Sequence, residues 1–324
     1  MKRQPRADRS RPQAGAAIIT ALVVVTLAAV LVSGLLWRQQ VQIRRIENQR
    51  LGAQALWVSR GAFDWTRLIL RAQADAAPVT YLGGVWDAPI AETRLSDFLG
   101  RFAQGKGRAG DQTFLSGRIE DAQARFNLRN LVSVSSGGRA VNEVALGQFA
   151  KLLAILGLDG RLAPAVAARM LDALTPPGDA AAARTRPLPP TSLALLDGLA
   201  GIDDTVRERL ADFVTVLPVP TAVNLNTTTP EVLAALVPAL PVAAAQGLLA
   251  TREQAFFLNI GDAQARLQRF AKDATLYNGS CDVSTNFFFV HGKVRHERAE
   301  LTRTALIYRD PRTHATQLVA VDES

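Results

Sequence analysis

The sequence predicts an α+β protein: a long N-terminal helix packed on an antiparallel sheet, with a large all-helical domain inserted between the strands. Three observations carry this. A run of 22 residues, 16–37, holds no charge and continues without a proline to residue 75. Strand-like segments are split between residues 113–127 and residues 286–321. The stretch between them, from about 130 to 272, reads as a succession of short helices.

The first fifteen residues form a basic leader with Lys2, Arg3, Arg6, Arg9 and Arg11 against Asp8, ending in Ala14-Gly15. The apolar run that follows is long enough to span a bilayer, which takes roughly 20 residues. A secretory signal core has only about 7–15 residues before its cleavage site. The residues leave two readings open: an anchor that is never cut, or cleavage after Gly15, before the apolar run. Arg38, Arg44, Arg45 and Arg50 follow the run, but the leader's charges lie closer to their helix end, so an N-inside orientation is favoured.

The full chain has 324 residues and a net charge of +8; removing the leader leaves about +4, which weakens any argument for nucleic acid. Cys281 is the only cysteine, so no intrachain disulfide can form, and an extracytoplasmic domain must rely on its core, a metal or partners.

Beyond the apolar run, Leu51, Ala55, Val58, Ala62, Trp65 and Ile69 recur at steps of three and four, one face of a helix. Arg44, Arg45, Glu47, Arg50, Arg60 and Arg67 supply polar positions around it. A single helix of nearly 60 residues, about 85 Å at 1.5 Å per residue, follows. Its first half belongs in lipid and its second half against a sheet. Residues 81–110 read as loop, with Gly83-Gly84, Pro89 and a glycine-rich stretch at 105–110.

Residues 113–127 read as a strand pair or a bent strand; 286–295, 300–309 and 315–321 read as three strands with turns at 296–298 and 310–312. The helical block reads as 143–156, 163–174, 192–196, 205–214, 230–236, 243–251 and 262–270, with a Pro/Ala/Gly-rich loop at 175–190. Thr229-Pro230-Glu231 is a helix start: a hydroxyl cap, proline at the first position and an acid in the first turn. The organisation is then leader 1–15, membrane segment 16–37, first part of the helix-plus-sheet domain 38–130, inserted helical domain 131–274 and second part 275–324.

Signals for chemistry are weak. Gly105-x-Gly107-x-x-Gly110 has dinucleotide spacing but lacks the strand before it and the helix after it, so it reads as a solvated loop. His291 and His296 are five apart in a strand and face opposite sides of the sheet; His314 stands apart. Cys281 has neither a CxxC partner nor a base nearby. Asp203-Asp204 with Glu208, and Glu120-Asp121, read as helix ends and strand-edge ion pairs rather than a calcium loop. No hydrolase, zincin or P-loop motif occurs, and no enzyme is expected. Residues 223–236 are similar to the opening of helix-hairpin-helix repeats, which hold phosphate through turn amides. The turn here, Val237-Pro-Ala-Leu-Pro241, has no glycine, and lysine is absent between Lys151 and Lys272; a packing hairpin accounts for it better than DNA.

Five segments together resemble the K-type minor pseudopilins of type II secretion (the GspK family). They are the run from Gly15-Ala-Ala-Ile-Ile-Thr20, Leu36-Trp-Arg-Gln-Gln40, Gly61-Ala-Phe-Asp-Trp65, Arg118-Ile-Glu-Asp-Ala-Gln-Ala-Arg-Phe-Asn-Leu128 and Val223-Asn-Leu-Asn-Thr227, with Phe287-Phe-Phe289 opening the late strands. The resemblance implies a pilin-like domain carrying an inserted SAM-like helix-hairpin domain. It implies a leader cut by the prepilin peptidase between Gly15 and Ala16, with methylation of the new N-terminus. It implies an inner-membrane, single-pass protein with its bulk in the periplasm. Its partners would be the I, J and H minor pseudopilins and the major pseudopilin, alongside membrane lipid and with no nucleic acid.

Other pilin-like proteins carry glutamate at the fifth mature position, where the carboxylate is thought to balance a neighbour's N-terminal amine inside lipid. Counted from Ala16, that position here is Thr20. A subunit without the charge suits the leading end of a filament, so the expected function is to cap and nucleate a short pseudopilus for protein export. No cofactor is expected; relatives that bind calcium make that ion possible, but no ligands are assignable in this sequence. The competing readings are a membrane-anchored DNA-binding or DNA-uptake protein built on the hairpin, and an anchored enzyme with an unrecognised site.

Overall fold

A computed structural model of the chain describes residues 14–99, 112–136, 138–175, 192–277 and 279–323. The leader up to residue 13, the glycine-rich stretch 105–110 and nearly all of the loop at 175–190 lie outside the described residues.

Helix α1 (Ala14–Ala76) runs unbroken for 63 residues, roughly 95 Å. It stops two residues before Pro78, which cannot continue the ladder. Only its C-terminal part is covered. The buried face runs through Leu51, Ala55, Ser59, Phe63, Thr66, Leu70 and Gln73. Leu51 and Ala55 lie where the apolar spacing puts them, whereas Val58, Ala62, Trp65 and Ile69 fall on the half-buried flank. The centre of the face is displaced because three of its positions carry polar residues, which an apolar count passes over.

Two short elements, β1 (Ile90–Arg94) and helix α2 (Leu95–Leu99), lie inside the stretch read as loop. This corrects the reading of residues 81–110. Ile-Ala-Glu-Thr-Arg is an edge strand with no apolar alternation to announce it. Strand β2 (Thr113–Asp121) is followed by a single 3-10 turn and β3 (Phe126–Asn127), so the expected bent strand breaks at Ala122–Ala124. A small hairpin follows, β4 (Val132–Ser135) and β5 (Gly138–Val141), before the helices begin.

The helical block holds α3 (Glu143–Ile155), α4 (Leu162–Leu174), α5 (Asp204–Ala211), two short strands β6 (Val214–Thr215) and β7 (Val223–Asn224), then α6 (Pro230–Leu236), α7 (Val242–Gln254) and α8 (Ile260–Leu267). Side-chain caps open most of these helices: Asn142, Asp203, Thr229 and Asn259 each accept from a backbone N–H of the first turn. Their apolar faces share one core that includes Phe126, Phe149, Met170, Leu233, Leu248 and Phe257.

The chain returns through β8 (Cys281–Asp282) to the long strands β9 (Phe287–His296), β10 (Ala299–Arg309) and β11 (Thr316–Glu323). The main sheet is antiparallel with order β1-β2-β9-β10-β11. Its central ladder joins β2 to β9, from Thr113 opposite His296 to Asp121 opposite Phe288, so the helical block interrupts a continuous sheet. α1 crosses one face. Phe63 and Leu70 pack there on Phe288, Val290, Ala305 and Ile307, with Trp86 closing the side. Two short parallel ladders, β3 with β6 and β7 with β8, tie the helical block to the points where the chain enters and leaves it.

Candidate functional site

Two places in the molecule carry features beyond packing: the uncovered half of α1, and the joint where the sheet meets the helical block.

From Ile18 to Arg50 every side chain of α1 is exposed. Within it, residues 18–37 are uncharged, and the helix is long and apolar enough to cross a membrane. Gly15 and Ala16 lie in its first turn and Thr20 about one turn further on. Trp37 stands at the end of the apolar run, the level at which tryptophans sit at a membrane surface. The globular part first touches the helix where the β9–β10 turn reaches it: Arg298 donates to Glu47 (3.1 Å) and Asn48 (3.0 Å).

The joint is built on Asp121, the last residue of β2. Its side chain is buried and accepts from Thr285 Oγ1 (2.5 Å), Thr227 Oγ1 (2.6 Å), Asn224 Nδ2 (2.8 Å) and the backbone N–H of Gln123 (2.7 Å). Burial pushes the carboxyl up from its ordinary range, and these four donors pull the other way. Asn224 Nδ2 also donates to the Thr80 carbonyl (3.0 Å), and Asn226 spans the backbones of Phe257 and Val283.

Opposite stands Arg309, buried at the end of β10. It donates to the Leu70 carbonyl (2.8 Å), Gln73 Oε1 (2.7 Å), Thr80 Oγ1 (3.0 Å) and the Thr285 carbonyl (2.8 Å). Its guanidinium lies over the Phe288 ring at 4.8 Å. Burial lowers its pKa to about 10, with the nearby Asp121 charge opposing, so it stays cationic at neutral pH. One arginine thus fastens the C-terminal turn of α1 to the strand that leaves the helical block.

A second set of amides grips the segment between β6 and β7. Gln123 donates to the Ala222 carbonyl, Asn127 to the Val219 carbonyl and Thr221, and Asn130 to the Thr221 carbonyl. The motifs at 118–128 and 223–227, far apart in sequence, therefore meet here. Their spacing did not show that they touch. The strand register holds the signal for Arg309: Ala305 and Ile307 face α1, and alternation puts residue 309 on the same side. Gln73 and Thr80 gave no signal.

The other candidates resolve into structure. His296 is buried with Nδ1 at 2.7 Å from Thr113 Oγ1, whereas His291 meets Thr304 and Glu120 on the opposite face. His314 pairs with Asp75 at 2.6 Å. Cys281 is buried, and burial pushes its thiol up to about 12, so it is an unreactive core residue. Asp203 caps α5 and Asp204 pairs with Arg207. Glu120 is held well below the usual carboxylate range, first by its hydrogen bond to His291 and then by Arg118 and Arg125. Among the described residues, no group of three or more His, Cys, Asp or Glu is arranged to hold a metal.

At the hairpin turn Ala239 takes φ 55, the left-handed conformation that a glycine normally supplies. The turn's carbonyls face α3: Lys151 Nζ donates to Val237 O (2.8 Å) and Leu240 O (3.3 Å), and Gln148 to Leu236 O (3.0 Å).

Two family models match the chain, both described as type II secretion system protein K, over residues 124–219 and 223–276. The protein K of Pseudomonas aeruginosa is 31% identical over 249 residues, spanning 70% of this chain and 68% of that one. The chain belongs to the type II secretion system protein K family. It is thus a minor pseudopilin of the K type, and both matched regions fall on the joint and the helical block rather than on α1. The fold agrees with a chain of the crystal structure of the GspK-GspI-GspJ complex from enterotoxigenic Escherichia coli. That match has a TM-score of 0.64 at 19% identity and covers 86% of this chain and 99% of that one.

Proposed function

We propose that this K-type pseudopilin sits at the leading end of a short periplasmic pseudopilus, caps it, and nucleates its assembly for protein export across the outer membrane. The observation that carries the reading is α1. Its described side chains from Ile18 to Arg50 are exposed, uncharged for the first twenty residues and charged or mixed after them, and the globular part reaches them only near the end, through Arg298 on Glu47 and Asn48. Such a helix needs lipid and then neighbouring helices to cover it. The I, J and H minor pseudopilins and the major pseudopilin are the partners of the matching chemistry, and the inner membrane is the lipid. The chain enters this pathway when the prepilin peptidase cuts between Gly15 and Ala16. Thr20, at the fifth position after that cut, brings no carboxylate into the bilayer, so the subunit makes no demand for a neighbour's amine above it. The domain between β2 and β9 adds bulk on the outer end, as a cap requires. No catalysis and no cofactor enter this role.

The test is the intact mass and N-terminal sequence of membrane-extracted protein from cells with and without the peptidase. A peptidase-dependent start at Ala16, with Thr20→Glu processed normally but defective in initiating pseudopili, supports the reading. A start at Met1 in both samples overturns it. The DNA-binding alternative is disfavoured by the hairpin turn, whose carbonyls already face Lys151 and Gln148.

A further inference from the structure

The buried face of α1 begins at Leu51, but its row continues down the helix. Counted back in steps of three and four, the same side holds Asn48, Arg45, Arg44, Val41 and Arg38. All of these are exposed, and Val41, Arg44, Arg45 and Asn48 line one hollow. Arg298 of the β9–β10 turn donates to Asn48 and Glu47 and so roofs the row. Ten residues separate Trp37, at the end of the apolar run, from Glu47, a height of about 15 Å. A second spanning helix packs with its axis about 8–10 Å away. On this side it would run into the turn. The space under the turn therefore opens only onto the membrane surface.

The slot is basic. Between residues 16 and 63 the only acid is Glu47, and Arg298 holds its carboxylate at 3.1 Å. Among the described residues, Arg38, Arg44 and Arg45 form no ion pair. Arginines beyond the span also work against an N-inside orientation, so they are not there to set topology. Side chains on a helix lean toward its N-terminus, which here is toward the lipid. Arg44 and Arg45 leave the backbone about 10–12 Å above Trp37, and a headgroup layer fills roughly 5–8 Å of that height. Their long, downward-leaning side chains close the remainder.

We propose that this slot binds an anionic phospholipid of the periplasmic leaflet, with Arg38, Arg44 and Arg45 on its phosphate and its acyl chains along the apolar run below Val41. Guanidinium groups match phosphate oxygens in geometry as well as charge. A zwitterionic headgroup is disfavoured, because its ammonium would sit among three arginines with no free carboxylate to receive it. The proposal rests on the reading that α1 crosses the inner membrane; it needs neither cleavage after Gly15 nor a place at the tip.

Trp37 reports on the slot without modification. It stands beside Arg38 and Val41, whereas Trp57 lies about 30 Å higher and Trp65 and Trp86 belong to the globular part. The full chain is reconstituted into vesicles of phosphatidylethanolamine with a minority of phosphatidylglycerol. In one set the phosphatidylglycerol carries brominated acyl chains; in the other an equal amount of the phosphatidylethanolamine does. Bromine quenches indole fluorescence on contact, so the ratio of the two shows which lipid lies against Trp37. The expected result is quenching by phosphatidylglycerol roughly five-fold stronger or more, since each arginine at a membrane surface favours anionic lipid by about that factor. Arg38→Gln, Arg44→Gln and Arg45→Gln combined should make the two lipids equal, and the same three changes to lysine should keep the preference. Arg50→Gln, level with the turn, should also keep it. Undiminished preference in the triple glutamine variant overturns the site. Equal quenching in the parent, with pseudopilus assembly lost in that variant, gives the arginines to an acidic neighbour and overturns it too. Quenching by neither lipid takes Trp37 out of the bilayer and overturns the membrane reading with the site. A chain found to start at Met1 leaves this test unchanged and counts only against the tip.

Discussion

The two halves of α1 have the same backbone and opposite surroundings. From Leu51 to Gln73 one face is buried on the sheet, and that face includes the polar Ser59, Thr66 and Gln73. From Ile18 to Trp37 there is no charge on any side and nothing among the described residues covers it. The face that packs on the protein thus carries polar residues while the bare half is uncharged all round, the reverse of a soluble surface helix. The covered half tolerates its polar groups because partners wait for them: Thr66 Oγ1 donates to the Ala62 carbonyl, and Gln73 reaches both the Val79 carbonyl and Arg309. Inside a protein a satisfied polar group is affordable, whereas a helix in lipid must exclude charge and close any hydroxyl on its own backbone, as Thr26 Oγ1 does on the Leu22 and Val23 carbonyls.

This contrast can be broken most sharply at Arg309. Replacing it with methionine removes four hydrogen bonds to buried acceptors and leaves Asp121 without its nearby cation. Losses of about 3–5 kcal/mol accompany the removal of one partner from a buried charged network. Urea unfolding of the detergent-solubilised protein should show that fall, with the α1–sheet contact opening. Phe63→Ala should cost about 3–5 kcal/mol by leaving a cavity. Leu31→Ala, in the bare half, should leave the same unfolding midpoint unchanged and register only in membrane retention. An equal effect of the two changes would mean that the bare half is packed after all.

Asn224→Ala should cost about 1–3 kcal/mol, the penalty for stranding a buried polar partner at the joint. Glu120 sharpens the comparison through pH. Its folded carboxyl titrates below its ordinary value of 4.5, so its contribution is present above that pH and is lost as the pH falls through the folded value. Glu120→Gln should be less stable than the parent at neutral pH, and the two should converge under acid. The smallest effect is expected at Gly61, on the exposed side of the covered half, where an added β-carbon meets nothing within 4 Å. Gly61→Ala should raise stability by up to about 1 kcal/mol. If pseudopilus assembly falls while stability rises, that glycine serves a neighbouring helix.

Much of this was legible in the sequence, because periodicity and caps act locally. The helix Pro230–Leu236 begins at its predicted threonine cap, and the three late strands lie within a few residues of the apolar alternation that marks them. The long helix was visible because nothing interrupts it. What stayed hidden is what depends on distant partners. Asp121 reads as a surface acid until Asn224, Thr227 and Thr285 surround it, each about a hundred residues or more away along the chain. β1 was missed because an edge strand takes its register from β2 rather than from its own pattern.

The central ladder has a kinetic consequence. Thr113 and His296 are 183 residues apart, yet they sit side by side in the middle of the sheet. Contacts of such separation slow folding, since the loop must close before they form. The interruption itself is rich in helical hairpins with short-range contacts, which form fast. Folding should then begin in the middle of the chain, and the small ladders at Phe126 and Cys281 would draw the two ends of the sheet together afterwards. Until that late step β2 has an open edge, able to pair with the wrong strand.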